Sequence, residues 1–317
     1  MLLIDIINVG DGDAILLREK RAGKPDYVLL VDSGRPHVEY IKGSKRKTAL
    51  LYLKTLGVDH IDTLLISHLH FDHFGGVLGI LRHIPIYVLE AGYLPPKTAM
   101  WVERPDTLVK SPISMCDALN LFNDTIRIAD TLGTDCIKAP EGKRMLTENL
   151  GIEIFYPDNE LMDRQRLIFD GLYHREKFSE ELLSAISKDR NCSSIVARVE
   201  YAGASILLTG DSYGVYWEDR GYEHCDILKV PHHGDPKSIT EKAVKSVSPK
   251  YAVISCQNDS PAKKDRPSEA AMDILFDNVE NVVCTENPDV KRLKAAAYDA
   301  VCFEISDDGE ITYLLKA

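Results

Sequence analysis

Ser67-His68-Leu69-His70-Phe71-Asp72-His73-Phe74-Gly75-Gly76 sets three imidazoles and one carboxylate within six positions. The run before it, Thr63-Leu64-Leu65-Ile66, is short, apolar and bounded by polar residues, which predicts a buried strand. After the glycines, Val77 to Arg82 reads as the first turns of a helix. The histidines therefore fall on a turn at the carboxyl end of a core strand. Alternate residues His68 and His70 can converge on one ion, and adjacent Asp72 and His73 can serve a second. Imidazole nitrogen and carboxylate oxygen are ligands for zinc, manganese or iron. A solvated histidine-rich turn is the bland competitor, and this constellation of residue types disfavours it.

Composition narrows the setting. The chain has 317 residues, with hydrophobic, charged, Gly and Pro contents ordinary for a globular protein. Its seven cysteines lie far apart without a CxxC pair, which suits free thiols in a reducing compartment. The start, Met1 to Asn8, lacks a basic region and reads as a strand, not a signal peptide. No apolar run is long enough to span a bilayer. A cytoplasmic protein without stable membrane insertion is the expectation. A formal net charge of -11 disfavours a broad electropositive face for long polyanions.

Other strand ends carry similar chemistry. Ile4 to Asn8 and Ala14 to Leu17 are apolar runs joined by Val9-Gly10-Asp11-Gly12-Asp13, a hairpin connection. Tyr27 to Val31 ends in Asp32-Ser33-Gly34, where Asp32 alone would pass for a turn former. Ser44 to Leu56 has helical spacing and stops at Gly57, and Ile84 to Leu89 is a further strand. Residues 91–190 differ: prolines mark loops, Met115 to Leu132 a helix, Gly151 to Tyr156 a strand, and 158–188 a charged helical stretch. That region reads as an insertion, either a lid or, in the plainer reading, a solvated helical cap. Ser194 to Tyr201 and Ser205 to Leu208 form a hairpin that leads to Thr209-Gly210-Asp211-Ser212. Cys225 to Val230 runs into Pro231-His232-His233-Gly234, a second metal-type signal. Strands follow at Tyr251–Cys256, Val282–Thr285, Val301–Ile305 and Ile311–Leu315, with helices from Ile239 and Ser268. Two sheets packed face to face with helices outside would bury these runs.

These stretches resemble the metallo-β-lactamase superfamily, and within it the hydrolase domain of ComEC-type DNA-uptake proteins and their stand-alone relatives. The likeness lies in Asn8 to Leu16, Val31 to Gly34, Tyr52 to Gly57, the HLHFDHFGG turn, Leu207 to Asp211, Asp226 to Gly234 and Ser238. It implies an α+β fold, an αββα four-layer sandwich, with 1–317 as one domain and 91–190 as a helical insertion within it. It also implies two divalent metal ions, zinc or manganese, with iron or nickel as further options. Carried over by residue, His68 and His70 bind the first metal, Asp72 and His73 the second, and Asp211 bridges. One of His232 and His233 completes the second site, with His232 favoured as ligand and His233 as its neighbour. Asp32 would fix the tautomer of a ligand histidine.

The chain departs from the family pattern at three places. His70 stands where many ComEC-type domains carry an acid. Where most superfamily enzymes have another first-site histidine, this chain has Arg190-Asn191-Cys192-Ser193, so Asn191 becomes the candidate ligand through its amide oxygen, with the Cys192 thiolate behind it. Near the C-terminus, Asp265-Arg266-Pro267-Ser268 lacks the histidine of those relatives, and Arg266 is either a phosphate contact or a surface residue.

The implied activity is hydrolysis by a metal-bridging hydroxide, of a phosphodiester in DNA or a nucleotide. Asp72, His232, His233 and Asp32 carry the catalytic assignments, with His232 or His233 protonating the leaving group. Lys229 and Ser238, near the histidine pair, are either phosphate contacts or structural. Carboxyl-ester, lactone or thioester hydrolysis at the same metals is the first alternative. A degenerate metal-binding module acting through a DNA-processing or membrane partner is the second.

Overall fold

A computed structural model describes residues 1–40, 43–156, 159–188, 190–218, 220–257, 266–287 and 293–316. In chain order its strands are β1 (Leu2–Ile7), β2 (Ile15–Glu19), β3 (Tyr27–Val31), β4 (Ile61–Ile66), β5 (Ile86–Ala91), β6 (Asp135–Lys138), β7 (Gly142–Met145) and β8 (Leu150–Phe155). They continue as β9 (Val196–Tyr201), β10 (Ala204–Leu208), β11 (Ile227–Lys229), β12 (Tyr251–Ile254), β13 (Asn281–Cys284), β14 (Glu286–Asn287), β15 (Ala296–Ala297), β16 (Ala300–Ile305) and β17 (Ile311–Lys316). The helices are α1 (Ala49–Thr55), α2 (Phe71–Phe74), α3 (Val77–Leu81), α4 (Lys110–Thr131), α5 (Asn159–Tyr173), α6 (Glu180–Lys188), α7 (Glu241–Val247) and α8 (Glu269–Asn278).

Two sheets hold most strands, one ordered β17-β16-β1-β2-β3-β4-β5-β6 and the other β13-β12-β11-β10-β9-β8-β7. Alternation along each strand splits its apolar residues between two cores. Ile4, Ile6, Leu29, Val31, Ile206 and Leu208 point between the sheets, where they meet Ile152, Val199, Val253 and Phe303. Leu16, Val28, Leu30 and Leu64 point outward beneath α1, α3, α4 and α6 through Tyr52, Val77, Phe122 and Ile186. On the second sheet Leu207, Leu228 and Ile254 point outward beneath Val244, Val247, Met272 and Leu275 of α7 and α8. Three apolar layers separate four layers of structure, which makes this an αββα sandwich. No helix among the described residues is long and apolar enough to cross a membrane.

Two expectations change in detail. The helix expected over Ser44–Leu56 begins only at Ala49, where Thr48 caps it by accepting from the Leu51 amide. The residues before that cap are engaged elsewhere: Arg46 pairs with Glu286 and Lys47 with Asp299. The stretch 91–190, expected as a helical cap, is woven into both sheets as well as carrying α4, α5 and α6. Within it β6 extends the first sheet parallel to β5, and β7 and β8 extend the second beside β9.

The site follows from strand direction. β3 to β6 run parallel in one sheet and β10 to β13 in the other. Loops at the carboxyl ends of such strands are where side chains can converge without breaking the ladders.

Candidate metal centre

Asp32 and Ser67 follow β3 and β4, and the first sheet's part of the centre is built on them. Asp32 has a φ of 57°, a left-handed backbone that turns its carboxylate towards the neighbouring strand end. There the Ser67 amide donates to Asp32 Oδ1 at 2.8 Å and the Ser67 hydroxyl to Oδ2 at 2.6 Å. His73 Nδ1 donates to the same Oδ2 at 2.8 Å, so its Nε2 faces the opposite way, into the cluster. The single turn of α2 carries Asp72 and His73, and the preceding loop brings His68 Nε2 to 2.8 Å from His70 Nδ1. Gly12 lets the loop after β1 press on this turn: a Cβ there would lie 2.3 Å from the Asp72 carbonyl.

The second sheet supplies Asp211, just past β10, whose amide donates to the Ser194 hydroxyl oxygen at 3.1 Å. Asp211 faces four imidazoles. Its Oδ1 lies 3.1 Å from His73 Nε2 and 3.6 Å from His233 Nε2. Its Oδ2 lies 3.7 Å from both His68 Nε2 and His232 Nε2. His232 and His233 both adopt left-handed backbone, with φ of 48° and 55°. Two such residues in a row point adjacent rings to different places. His233 Nδ1 donates to the Ser255 carbonyl at 3.0 Å, while His232 Nε2 lies 3.1 Å from Asn191 Nδ2.

Two groups therefore have ligand atoms close enough to share an ion: His68, His70 and Asp211, and Asp72, His73 and His233, each within 4.8 Å. His233, not the favoured His232, joins Asp72 and His73; His232 sits on the Asn191 side. Asp32 also groups with His73 and with Asp13, a residue the sequence reading left in a hairpin loop. His233 Nε2 and Asn191 Oδ1 are buried with no hydrogen-bond partner among the described residues, and His73 Nε2 and Asp211 Oδ1 have only each other. Buried polar atoms are nearly always satisfied, so this convergence of orphans fits a site built for cations.

Charge adds to the picture. Burial pushes the Asp211 carboxyl up, but facing His73 and His233 outweigh it and hold it well below the usual carboxylate range. Burial pushes His73 down, but Asp211 and Asp32 outweigh it and hold its imidazolium well above the ordinary histidine value. His68 is held well below that value by burial and then by His73. Burial and Arg190 bring His70 to about 3. Burial brings His232 to about 4 and also lowers His233. The four lowered rings are in the neutral form that binds a metal, whereas His73 would give up its proton to do so.

Several weighed residues fall elsewhere. Cys192 donates to the Tyr216 hydroxyl at 3.3 Å and joins neither cluster. Lys229 is fully buried and ion-paired to Asp13 at 2.8 Å, so no phosphate reaches it. Ser238 is likewise fully buried. Arg266 Nη2 lies 3.4 Å from Asp235 Oδ2, which is also 3.9 Å from His232 Nδ1; Asp265 is outside the described residues. Sequence reasoning missed Asp13, Ser67, Arg35 and Arg190. Arg190 is buried and donates to the carbonyl of Leu69, between the two first-cluster histidines, at 2.9 Å. The acid-rich GDGDA run is the one signal that could have found Asp13; the other three have none.

The sequence model of the metallo-beta-lactamase superfamily matches residues 7–257. ComE operon protein 3 of Bacillus subtilis (strain 168) is 21% identical over 294 residues, covering 86% of this chain and 30% of that protein. Anti-Pycsar protein Apyc1 of Paenibacillus sp. (strain J14) is 26% identical over 200 residues, covering 56% of this chain and 67% of that protein. The chain thus spans under a third of the first relative's length. Among solved structures, the metallo-beta-lactamase fold protein YhfI from Bacillus subtilis aligns with a TM-score of 0.48 at 11% identity, over 96% of this chain and 100% of that one.

Proposed function

Because the chain belongs to the metallo-β-lactamase superfamily, we propose that it is a metal-dependent hydrolase acting on a phosphodiester, in DNA or a nucleotide. The observation that carries this reading is the Asp211 carboxylate standing between two groups of nitrogen and oxygen donors, with four ring nitrogens turned towards it. In this reading His68, His70 and Asp211 hold one divalent ion, with Asn191 beside them. Asp72, His73 and His233 hold the other, and Asp211 is shared. Ions held there would supply Lewis acidity, making water a nucleophile near neutral pH and stabilising charge that develops on oxygen.

The chain's own residues supply orientation and proton handling. Asp32 and the Ser255 carbonyl engage the Nδ1 atoms of His73 and His233, which aims both Nε2 atoms inward. His232, left out of the second group and backed by Asp235 and Asn191, starts neutral and is assigned to take a proton from the attacking water and pass it to the displaced alkoxide. The likeness of the GDGDA, HLHFDHFGG and LKVPHHG stretches to ComEC-type domains supports a phosphodiester over other esters. A net charge of -11 favours a small or single-stranded substrate over long duplex.

The test is hydrolysis of bis-(p-nitrophenyl) phosphate by metal-stripped protein with zinc, manganese, cobalt or nickel restored, and Asp72→Ala as the blank. Turnover that needs metal and disappears in the variant is expected. Metal bound by mass spectrometry with no turnover, alongside cleavage of a lactone or thioester, refutes the phosphodiester assignment.

A further inference from the structure

Arg35 stands at the rim of this centre. The backbone on either side of it is clamped against the histidine turn: the Gly34 amide donates to the Asp13 carbonyl at 2.7 Å, and the Gly76 amide to the Gly34 carbonyl at 2.9 Å. Pro36 packs over Gly75, where a Cβ would meet its Cδ at 2.9 Å. The guanidinium is thereby held with Nη2 3.4 Å from Asp72 Oδ2, while the Arg35 side chain stays 43% exposed. A single acid contact among the described residues engages a minority of the guanidinium's five donors. That acid is also a member of the second cluster. A cation bound by Asp72 takes up the charge that Arg35 faces, and the guanidinium then lacks a counter-charge unless an anion enters from solvent.

The surroundings agree. Residues 35–47 carry five Lys or Arg against one acid in a chain of net charge -11. Arg46 and Lys47 are committed to Glu286 and Asp299, whereas Arg35 remains at the opening. A planar fork of donors beside a diester site matches a phosphate more closely than any neutral group.

We propose that Arg35 is a specificity-determining residue that receives a second phosphate of the substrate, next to the scissile diester. This rests on the phosphodiesterase reading above. It predicts that the site prefers a diester flanked by another phosphate, as in an oligonucleotide or phosphorylated dinucleotide, over an isolated one.

The test compares metal-loaded wild type, Arg35→Gln and Arg35→Lys on the thymidine dinucleotide TpT and on its forms phosphorylated at the 5′ or the 3′ end. Wild type should favour one phosphorylated form by roughly 10- to 100-fold in kcat/KM, the range of a charge-assisted hydrogen bond. Arg35→Gln should lose that ratio, with the loss mainly in KM, and Arg35→Lys should restore part of it. An equal loss on all three substrates means that Arg35 acts only through Asp72 and overturns the proposal, as does a wild type without preference. If wild type cleaves none of the three, the phosphodiesterase reading fails and this inference falls with it.

Discussion

Replacing Lys229 by methionine removes one half of a buried ion pair and leaves the other half stranded. Lys229 Nζ lies 2.8 Å from Asp13 Oδ1 and donates to the Val230 carbonyl at 2.9 Å. Asp13 is 1% exposed, and apart from Lys229 its carboxylate oxygens have no hydrogen-bond partner among the described residues. Methionine nearly matches lysine in length and volume, so the packing cost is small. What remains is an uncompensated buried carboxylate, and breaking such a pair costs about 3–5 kcal/mol. At roughly 2–4 °C per kcal/mol for chains somewhat shorter than this one, Tm should fall by on the order of 10 °C. Replacing both partners, Asp13→Leu with Lys229→Met, should recover most of the loss, because no charge is then buried. Urea unfolding of the four metal-free proteins, followed by circular dichroism, gives the double-mutant cycle without a contribution from bound ligand. A single variant within about 1 kcal/mol of wild type, or a double variant no more stable than the single, refutes the reasoning. A variant that folds normally but loses substrate affinity would return Lys229 to the role of a phosphate contact.

Asp32→Asn keeps the shape of the strand-end bridge but weakens the acceptor for His73 Nδ1, and it should reduce metal affinity roughly 10- to 100-fold in chelator competition; unchanged affinity would remove Asp32 from the site. Gly12→Ala forces a Cβ against the Asp72 carbonyl, so it should lower Tm and metal stoichiometry together, and a fully loaded variant of normal stability contradicts the close approach. Adding zinc or manganese at about 100 times Kd should stabilise the metal-free protein by about 2.7 kcal/mol, read as a rise in Tm that Asp211→Asn abolishes. Burial raises the thiols of Cys116 and Cys136 to about 11 and those of Cys225 and Cys302 to about 12. Raised values keep these groups as unreactive thiols at pH 8, so a thiol reagent should label the native protein slowly and all seven cysteines after denaturation; rapid native labelling at several sites counts against the packing.

Much of the fold was legible because its strands are buried on both faces. Runs such as Tyr27–Val31 and Thr63–Ile66 are continuous and apolar, and each ends in the polar residue that enters the site. β6 and β7 gave no such signal. Asp-Cys-Ile-Lys and Gly-Lys-Arg-Met lie at sheet edges, where no residue of either strand is buried, so neither needs an apolar pattern. The histidine turn and Asp211 were readable from residue type alone. Which of His232 and His233 groups with Asp72 and His73 was not, since it depends on two consecutive left-handed residues that composition does not announce. Arg190, Arg35 and Asp13 were hidden for a related reason: their partners, Leu69, Asp72 and Lys229, are fixed only by tertiary contact.

Asp211 and His233 come from the second sheet, and His68, His70, Asp72 and His73 from the first. During synthesis, a ribosome-bound chain exposes the histidine turn long before the second sheet has been translated. At that stage His68, His70, Asp72 and His73 lack the Asp211 carboxylate that faces them in the folded chain. A site that draws its donors from both sheets is complete only once the two sheets have docked, so its geometry reports on closure of the whole sandwich.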